Sequence, residues 1–277
     1  MVVKYINTST FKPKPNNNSS DIISGNFISG CLGGCWKTYC YASRYKPDNI
    51  YVALNQNQII DSCAVWSNQQ DSKYYMVDIG CNSDIPLMQK HLTIAKTVDL
   101  FTESESGLLN ILTKFDKQER LNTTFATKYS HMLNLDVNSF TKRPRVRISI
   151  MPESPMTSLE PNTNPLKQRI KDCERLEALG WEVHWNFSPV VMYKGWKEDY
   201  VKLIKSLPPR PCEVIFLTNH KNSMVKTNKD AKLYMKYSNE VKNESGVMRY
   251  PLSVKSTAVE WIKHTLEDNQ FKVRYIF

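Results

Sequence analysis

From residue 21 onward, short apolar runs alternate with stretches whose apolar residues recur every three or four positions. "DIISGNFIS" (21–29) and "YYMVDIG" (74–80) read as strands, and "IPLMQKHLTIAKTVDLF" (85–101) has helical spacing. "LLNILTK" (108–114) reads as the next strand and "QERLNTTFATKYSHMLNL" as the helix after it. "RVRISIM" (145–151) is a strand followed by the clearest helix, in which Leu166, Ile170, Cys173, Leu176 and Leu179 form one stripe and Gly180 is the stop. "WEVHWNFSPVV" (181–191), the helix "WKEDYVKLIKSL" (196–207), the strand "CEVIFLT" (212–218) and a polar helical stretch near 226–242 complete the series. Alternation of this kind means parallel strands joined by crossover helices, in an open doubly wound sheet or a barrel. Six strands within roughly 200 residues suit a partial (β/α)6 barrel better than a full eight-unit one.

The chain has 277 residues, enough for one large α/β domain or two small ones with a substantial core. Residues 1–20 read as a flexible arm, carrying Pro13, Pro15 and an Asn run. Residues 21–225 form the barrel, and 226–277 add a hairpin, a helix opened by Thr257 and Glu260 as a capping box, and a last strand. No apolar run approaches the roughly 20 residues needed to cross a bilayer. The N-terminus "MVVKYINTSTFKPKPNNNSSD" lacks the apolar stretch of a secretory signal. The sequence therefore predicts a cytoplasmic monomer with no membrane partner. Its net charge of +10 makes nucleic acid a natural partner, against the alternative of a merely solvated basic surface.

Three of the seven cysteines fall within "SGCLGGCWKTYCYA" (29–42), with spacing C-x3-C-x4-C. Reduced cytosolic thiols clustered this way favour a metal over disulfides. A structural zinc site needs four ligands, commonly two close pairs, and no second pair exists in this chain. Three thiolates in one loop after a first strand suit a [4Fe–4S] cluster with one iron left open for a small ligand. Gly33 and Gly34 serve a tight turn there, since no G-K-[ST] follows to make a phosphate loop. Cys173 and Cys212 read as core, and Cys63 has no assigned part.

The cysteine loop, with Tyr39 before Cys40, resembles the radical S-adenosylmethionine (SAM) superfamily, although this chain has two more residues between its second and third cysteines than the usual spacing. A closer resemblance runs from about residue 24 to 268. "GCNSDI" (80–85), "LLNILTKFD" (108–116), "RVRISIMPES" (145–154), "EPNTNPLKQRIKDCERLEALGWEVHWNFSPVV" (160–191), "GWKEDY" (195–200), "VIFLT" (214–218) and "ESGVMRYP" (244–251) are similar, in order, to motifs of the spore photoproduct lyase family.

That resemblance implies a [4Fe–4S] cluster on Cys31, Cys35 and Cys40, fed by an external electron donor, and SAM contacts at Tyr41, Ser83, Lys114 and Ser149. A Lys at the C-terminal end of a barrel strand can reach a carboxylate, and Ser hydroxyls can bond ribose or amine. The implied reaction uses a 5′-deoxyadenosyl radical to reverse a methylene-bridged thymine dimer in DNA. Cys81, in "CNSDI", stands where the family places the thiol that returns a hydrogen atom, with Tyr39 and Tyr41 as a relay. "SGVMRYP" resembles a hairpin entering the duplex, which puts Arg249 on phosphate and Tyr250 on a base. Lys142, Arg143, Arg145 and Arg147 are further candidates for phosphate contact. Two other readings stand beside this one: a radical SAM enzyme acting on a different nucleotide, and a basic DNA-binding module with a structural metal.

Overall fold

A computed structural model describes residues 2–7, 13–15, 21–25, 27–37, 49–69, 75–99, 107–217, 219–220, 241–242 and 247–277. In chain order the elements are β1 (Val2–Ile6), β2 (Ile22–Ser24), β3 (Ile28–Ser29), β4 (Asn49–Ala53), α1 (Gln56–Asn68), β5 (Met76–Asp78), α2 (Ile85–Asp99) and α3 (Gly107–Asp116). They continue with β6 (Asn122–Thr127), β7 (Arg145–Ile150), α4 (Glu153–Leu159), α5 (Leu166–Ala178), β8 (Glu182–Val190), α6 (Trp196–Ser206) and β9 (Cys212–Phe216). The last are β10 (Asn219–His220), β11 (Val241–Lys242), β12 (Val247–Arg249), α7 (Leu252–Asp268) and β13 (Val273–Ile276).

The main sheet has seven strands in the order β13-β9-β8-β7-β6-β5-β2. Pairs β2–β5, β5–β6, β8–β9 and β9–β13 are parallel. Six strands thus follow one another in sequence order, the (β/α)6 arrangement, and β13 adds a seventh after α7. A small sheet orders β1-β4-β3, and an antiparallel one orders β10-β12-β11.

The chain divides into two compact units. Met1–Leu32, Lys46–Arg147 and Lys171–Val183 make one; Gly33–Tyr45, Ile148–Ile170 and His184–Phe277 make the other. In the first unit, β5 is buried at every position, and Met76 and Val77 are wholly so. A strand covered on both faces carries its polar groups only if each finds a partner. Strand β7 is also buried at every position, and on it Arg145 pairs with Glu182 at 3.1 Å and Arg147 with Asp78 of β5. In the second unit, Trp185 is buried with its indole N–H donating to the Pro208 carbonyl at 2.9 Å. Helix α5 closes as expected: Gly180 N–H donates to Glu177 O and Trp181 N–H to Leu176 O, at 3.0 and 3.1 Å.

Several expectations are corrected. Residues 107–116 are helical rather than a strand, because Leu108, Ile111, Leu112 and Phe115 recur at three and four positions and all are buried. The strand lies instead at Asn122–Thr127, where Thr123, Thr124, Phe125 and Thr127 carry the β-branched and aromatic character. Helix α7 begins at Leu252 behind Pro251, so Thr257 is no cap; its hydroxyl donates within the helix to Ser253 O at 3.2 Å. Val2–Ile6, inside the stretch read as an arm, is a strand paired in parallel with β4. The helix expected near 226–242 falls outside the described residues except for its last two, which belong to β11.

Candidate active site

In α/β barrels the C-terminal ends of the strands carry the active site. At the end of β5 the chain turns through Ile79-Gly80-Cys81. Cys81 is half-buried, and its thiol donates to the Asp78 carbonyl at 3.3 Å. Surrounding protein pushes this thiol well above the ordinary cysteine range, and the Asp78 carboxylate adds to the shift. Arg147, and hydrogen bonds from Ser24 and Gly25, oppose it. The sulfur therefore keeps its proton at neutral pH.

Two contacts tie the Cys81 turn to the loop that carries Cys31. Ser29 and Asn82 form a parallel bridge, and Gly30 N–H donates to the Asn82 carbonyl at 3.0 Å. Gly30 sits at φ +96°, a left-handed conformation that suits glycine, and so delivers the chain into Cys31. Cys31 and Cys35 are both buried, each 6% exposed, and neither is in a disulfide. Gly34 opens a 3-10 turn, Gly34–Lys37, and lies so close to the Pro161 carbonyl that a Cβ would collide with it. Cys40, Tyr39 and Tyr41 lie outside the described residues. Among the described residues no three His, Cys, Asp or Glu side chains gather as a metal site. The two described thiols, Cys31 and Cys35, are sheltered on a glycine-bearing loop and are of the donor type an iron–sulfur cluster takes.

Of the residues expected to contact SAM, Ser83 follows the Cys81 turn, and its buried hydroxyl oxygen has no hydrogen-bond partner among the described residues. Its neighbour Asp84 accepts from the Thr127 hydroxyl at 2.8 Å and the Lys128 N–H at 2.7 Å, which ties the ends of β5 and β6 together. Burial raises the pKa of the Asp84 carboxyl. In the second unit, Ser149 is buried near the end of β7, and its hydroxyl accepts from Asn186 Nδ2 at 3.3 Å. The Oδ1 atom of Asn186 is buried with no hydrogen-bond partner among the described residues.

Lys114 does not stand at a strand end. It is in the last turn of α3, donating to Asn57 Oδ1 of α1. The position reasoned for it belongs to Lys128, the first residue beyond β6. The signal was the β-branched run "NTTFAT" immediately before it, which had been read as helix.

The basic run is largely spoken for. Lys142 donates to the carbonyl of Phe115 in α3, at 3.0 Å, and to those of Gln118 and Leu121 beyond it. Arg145 is buried and paired with the partly exposed Glu182, and Arg147 is in a buried ion pair with Asp78. Only Arg143 of the four is exposed, so phosphate contact by the other three is corrected. Tyr250 is also corrected: its ring is buried, 4% exposed, edge-on to Phe216, and its hydroxyl accepts the Met192 N–H at 2.9 Å. A ring held this way anchors the exit of the hairpin instead of lying open to a base. Arg249 ends β12, and its side chain lies outside the description.

Six parallel strands in sequence order, with a cysteine loop after the first of them, define a partial barrel of the radical SAM class. The family profile for spore photoproduct lyase matches residues 8–215, and the chain belongs to that family. The spore photoproduct lyase of Clostridium acetobutylicum is 23% identical over 220 residues, covering 75% of this chain and 61% of that protein. The chain thus spans about three-fifths of that relative's length. A solved structure of spore photoproduct lyase complexed with dinucleoside spore photoproduct matches with a TM-score of 0.79 at 16% identity, over 99% of this chain and 82% of that one. A mutant of spore photoproduct lyase with bound AdoMet and dinucleoside spore photoproduct matches at 0.71 and 16%, over 100% and 82%. At such identities the likeness is one of fold. Among the described residues no helix is long and apolar enough to cross a membrane.

Proposed function

We propose that this chain is a radical SAM lyase that reverses a methylene-bridged thymine dimer in DNA. Cys31, Cys35 and Cys40 would hold a [4Fe–4S] cluster, and an external donor would reduce it. When bound, the cluster and SAM supply a 5′-deoxyadenosyl radical. Ser83, Lys128 and Ser149 are the groups offered to SAM, with Tyr41 beside the third cysteine. Lys128 would meet the carboxylate, because an ammonium at a strand end reaches a charged group with little reorganisation. Asn186 Oδ1 and the Ser83 hydroxyl, each buried with no partner among the described residues, are acceptors a polar ligand would satisfy.

Cys81 gives a hydrogen atom to the product radical: the S–H bond breaks, a C–H bond forms, and a thiyl radical is left. Tyr39 and Tyr41 are the groups proposed to pass a hydrogen atom back to it. The protein's contribution is to hold the reacting carbon near this thiol. Arg249, at the end of β12, is proposed to meet a phosphate beside the lesion.

The bond from Gly30 N–H to the Asn82 carbonyl carries this reading, because it ties the loop of the first cluster cysteine to the turn that presents Cys81. The test is anaerobic reconstitution with iron, sulfide, reductant and SAM, followed by assay of an oligonucleotide carrying the methylene-bridged dimer. Restored thymine supports the proposal. Formation of 5′-deoxyadenosine without thymine would overturn the substrate and point to another nucleotide, and zinc without sulfide in the purified protein would overturn the radical chemistry.

A further inference from the structure

Asp78 holds the Cys81 turn with every acceptor it has. Its carbonyl accepts the Gly25 N–H at 2.8 Å and the Cys81 thiol at 3.3 Å. One carboxylate oxygen, Oδ1, accepts the Gly80 N–H at 2.9 Å, and the other accepts from Arg147 Nη2. Both charged side chains are 6% exposed. A buried ion pair costs desolvation, so its value here lies in what it fixes rather than in net stability. What it fixes is the carboxylate that holds Gly80, immediately before Cys81, while the Asp78 carbonyl holds Gly25 just beyond β2.

We propose that Asp78 and Arg147 are positioning residues for the Cys81 thiol, clamping the turn so that the S–H bond stays formed and aimed. The inference rests on the hydrogen-donor role of Cys81. A thiolate has no hydrogen atom to give, so a donor must keep its proton. The charged groups facing the sulfur are Asp78, which resists ionisation, and Arg147, which favours it; the Ser24 side chain and Gly25 backbone also favour the thiolate through hydrogen bonds. Asp78 outweighs Arg147 in that balance.

The signs give a test that loosened packing would not mimic. Alkylation of Cys81 by iodoacetamide, read by peptide mass spectrometry on the cluster-free full chain, follows the thiolate fraction, and one unit in thiol pKa changes that fraction about tenfold. Asp78→Asn should speed alkylation several-fold at about pH 8, Arg147→Gln should slow it, and Arg147→Lys should restore the wild-type profile. Loosening alone would speed both. Where Arg147→Gln fails to fold, the double variant Asp78→Asn/Arg147→Gln leaves neither charge alone and should react faster than wild type and slower than Asp78→Asn. Shifts in the same direction, or none, overturn the clamp. In reconstituted protein, Asp78→Asn should still form 5′-deoxyadenosine while yielding less thymine. Cys81→Ala separates the two claims: normal repair by that variant removes the donor role, while the alkylation profiles still decide the clamp.

Discussion

Arg169 donates through Nη2 to Glu160 Oε2 at 2.7 Å, with neither side chain exposed. The same guanidinium donates to the Asn164 carbonyl at 2.8 Å, the Ser149 carbonyl at 2.6 Å and the Thr163 hydroxyl at 2.7 Å. One side chain therefore ties the end of β7 to the loop that follows α4. Replacing Arg169 by Met strands a buried carboxylate, which costs about 3–5 kcal/mol. The melting temperature of the cluster-free protein should fall by about 10 °C. Glu160→Gln, which keeps an acceptor, should lose less. An unchanged melting temperature in Arg169→Met would show that Glu160 finds another partner.

The loop held by Arg169 includes Pro161, whose carbonyl faces Gly34 with no room for a methyl group. Gly34→Ala must therefore displace either the Pro161 carbonyl or the loop that carries Cys35. Iron and sulfide per chain after reconstitution should drop by at least half, while thermal unfolding of the cluster-free protein changes little. Full iron loading in Gly34→Ala would mean the loop tolerates the shift.

What the sequence disclosed depended on how strongly each element's pattern differed from its rival. Helices α2, α5 and α6 were legible because an apolar stripe over three turns has no strand counterpart. Residues 108–114 and 122–127 were interchanged because the first is short and uniformly apolar, and the second hides a strand under threonines. That exchange also misplaced the strand-end lysine, from Lys128 to Lys114. The motif drew attention to Cys81, but the groups around its turn were not legible: Asp78 and Arg147 are 69 residues apart, and their ion pair is a product of strand order. Tyr250 looked like a surface ring beside an arginine, and nothing local announces that Met192 claims its hydroxyl.

Cys212 offers a pH prediction. It is wholly buried at the start of β9, and burial, with a smaller contribution from Glu213, pushes its thiol up to about 12. Its folded pKa is raised, so the associated stability is fully present below the unfolded thiol's pKa of about 8.5 and is lost as pH rises toward the folded value. Within that window the loss approaches about 1.4 kcal/mol per pH unit. Denaturant midpoints measured from about pH 8 to 10.5 should therefore fall more steeply for wild type than for Cys212→Val. Parallel slopes would show that Cys212 ionises as readily folded as unfolded.

Binding to DNA should separate an arginine already committed to a carboxylate from one proposed to meet a phosphate. Duplex affinity falls with salt at a slope of about 0.9 for each phosphate neutralised. Arg145 is 4% exposed at its side chain and paired to Glu182, so Arg145→Gln should leave the slope within about 0.3 of wild type. Arg249, at the end of the strand that leads into Tyr250, is the proposed phosphate contact, and Arg249→Gln should lower the slope by about 0.9. The comparison is made by titrating a labelled duplex at several salt concentrations. If Arg249→Gln keeps the wild-type slope, phosphate recognition lies elsewhere on this basic chain, with exposed Arg143 the next residue to neutralise.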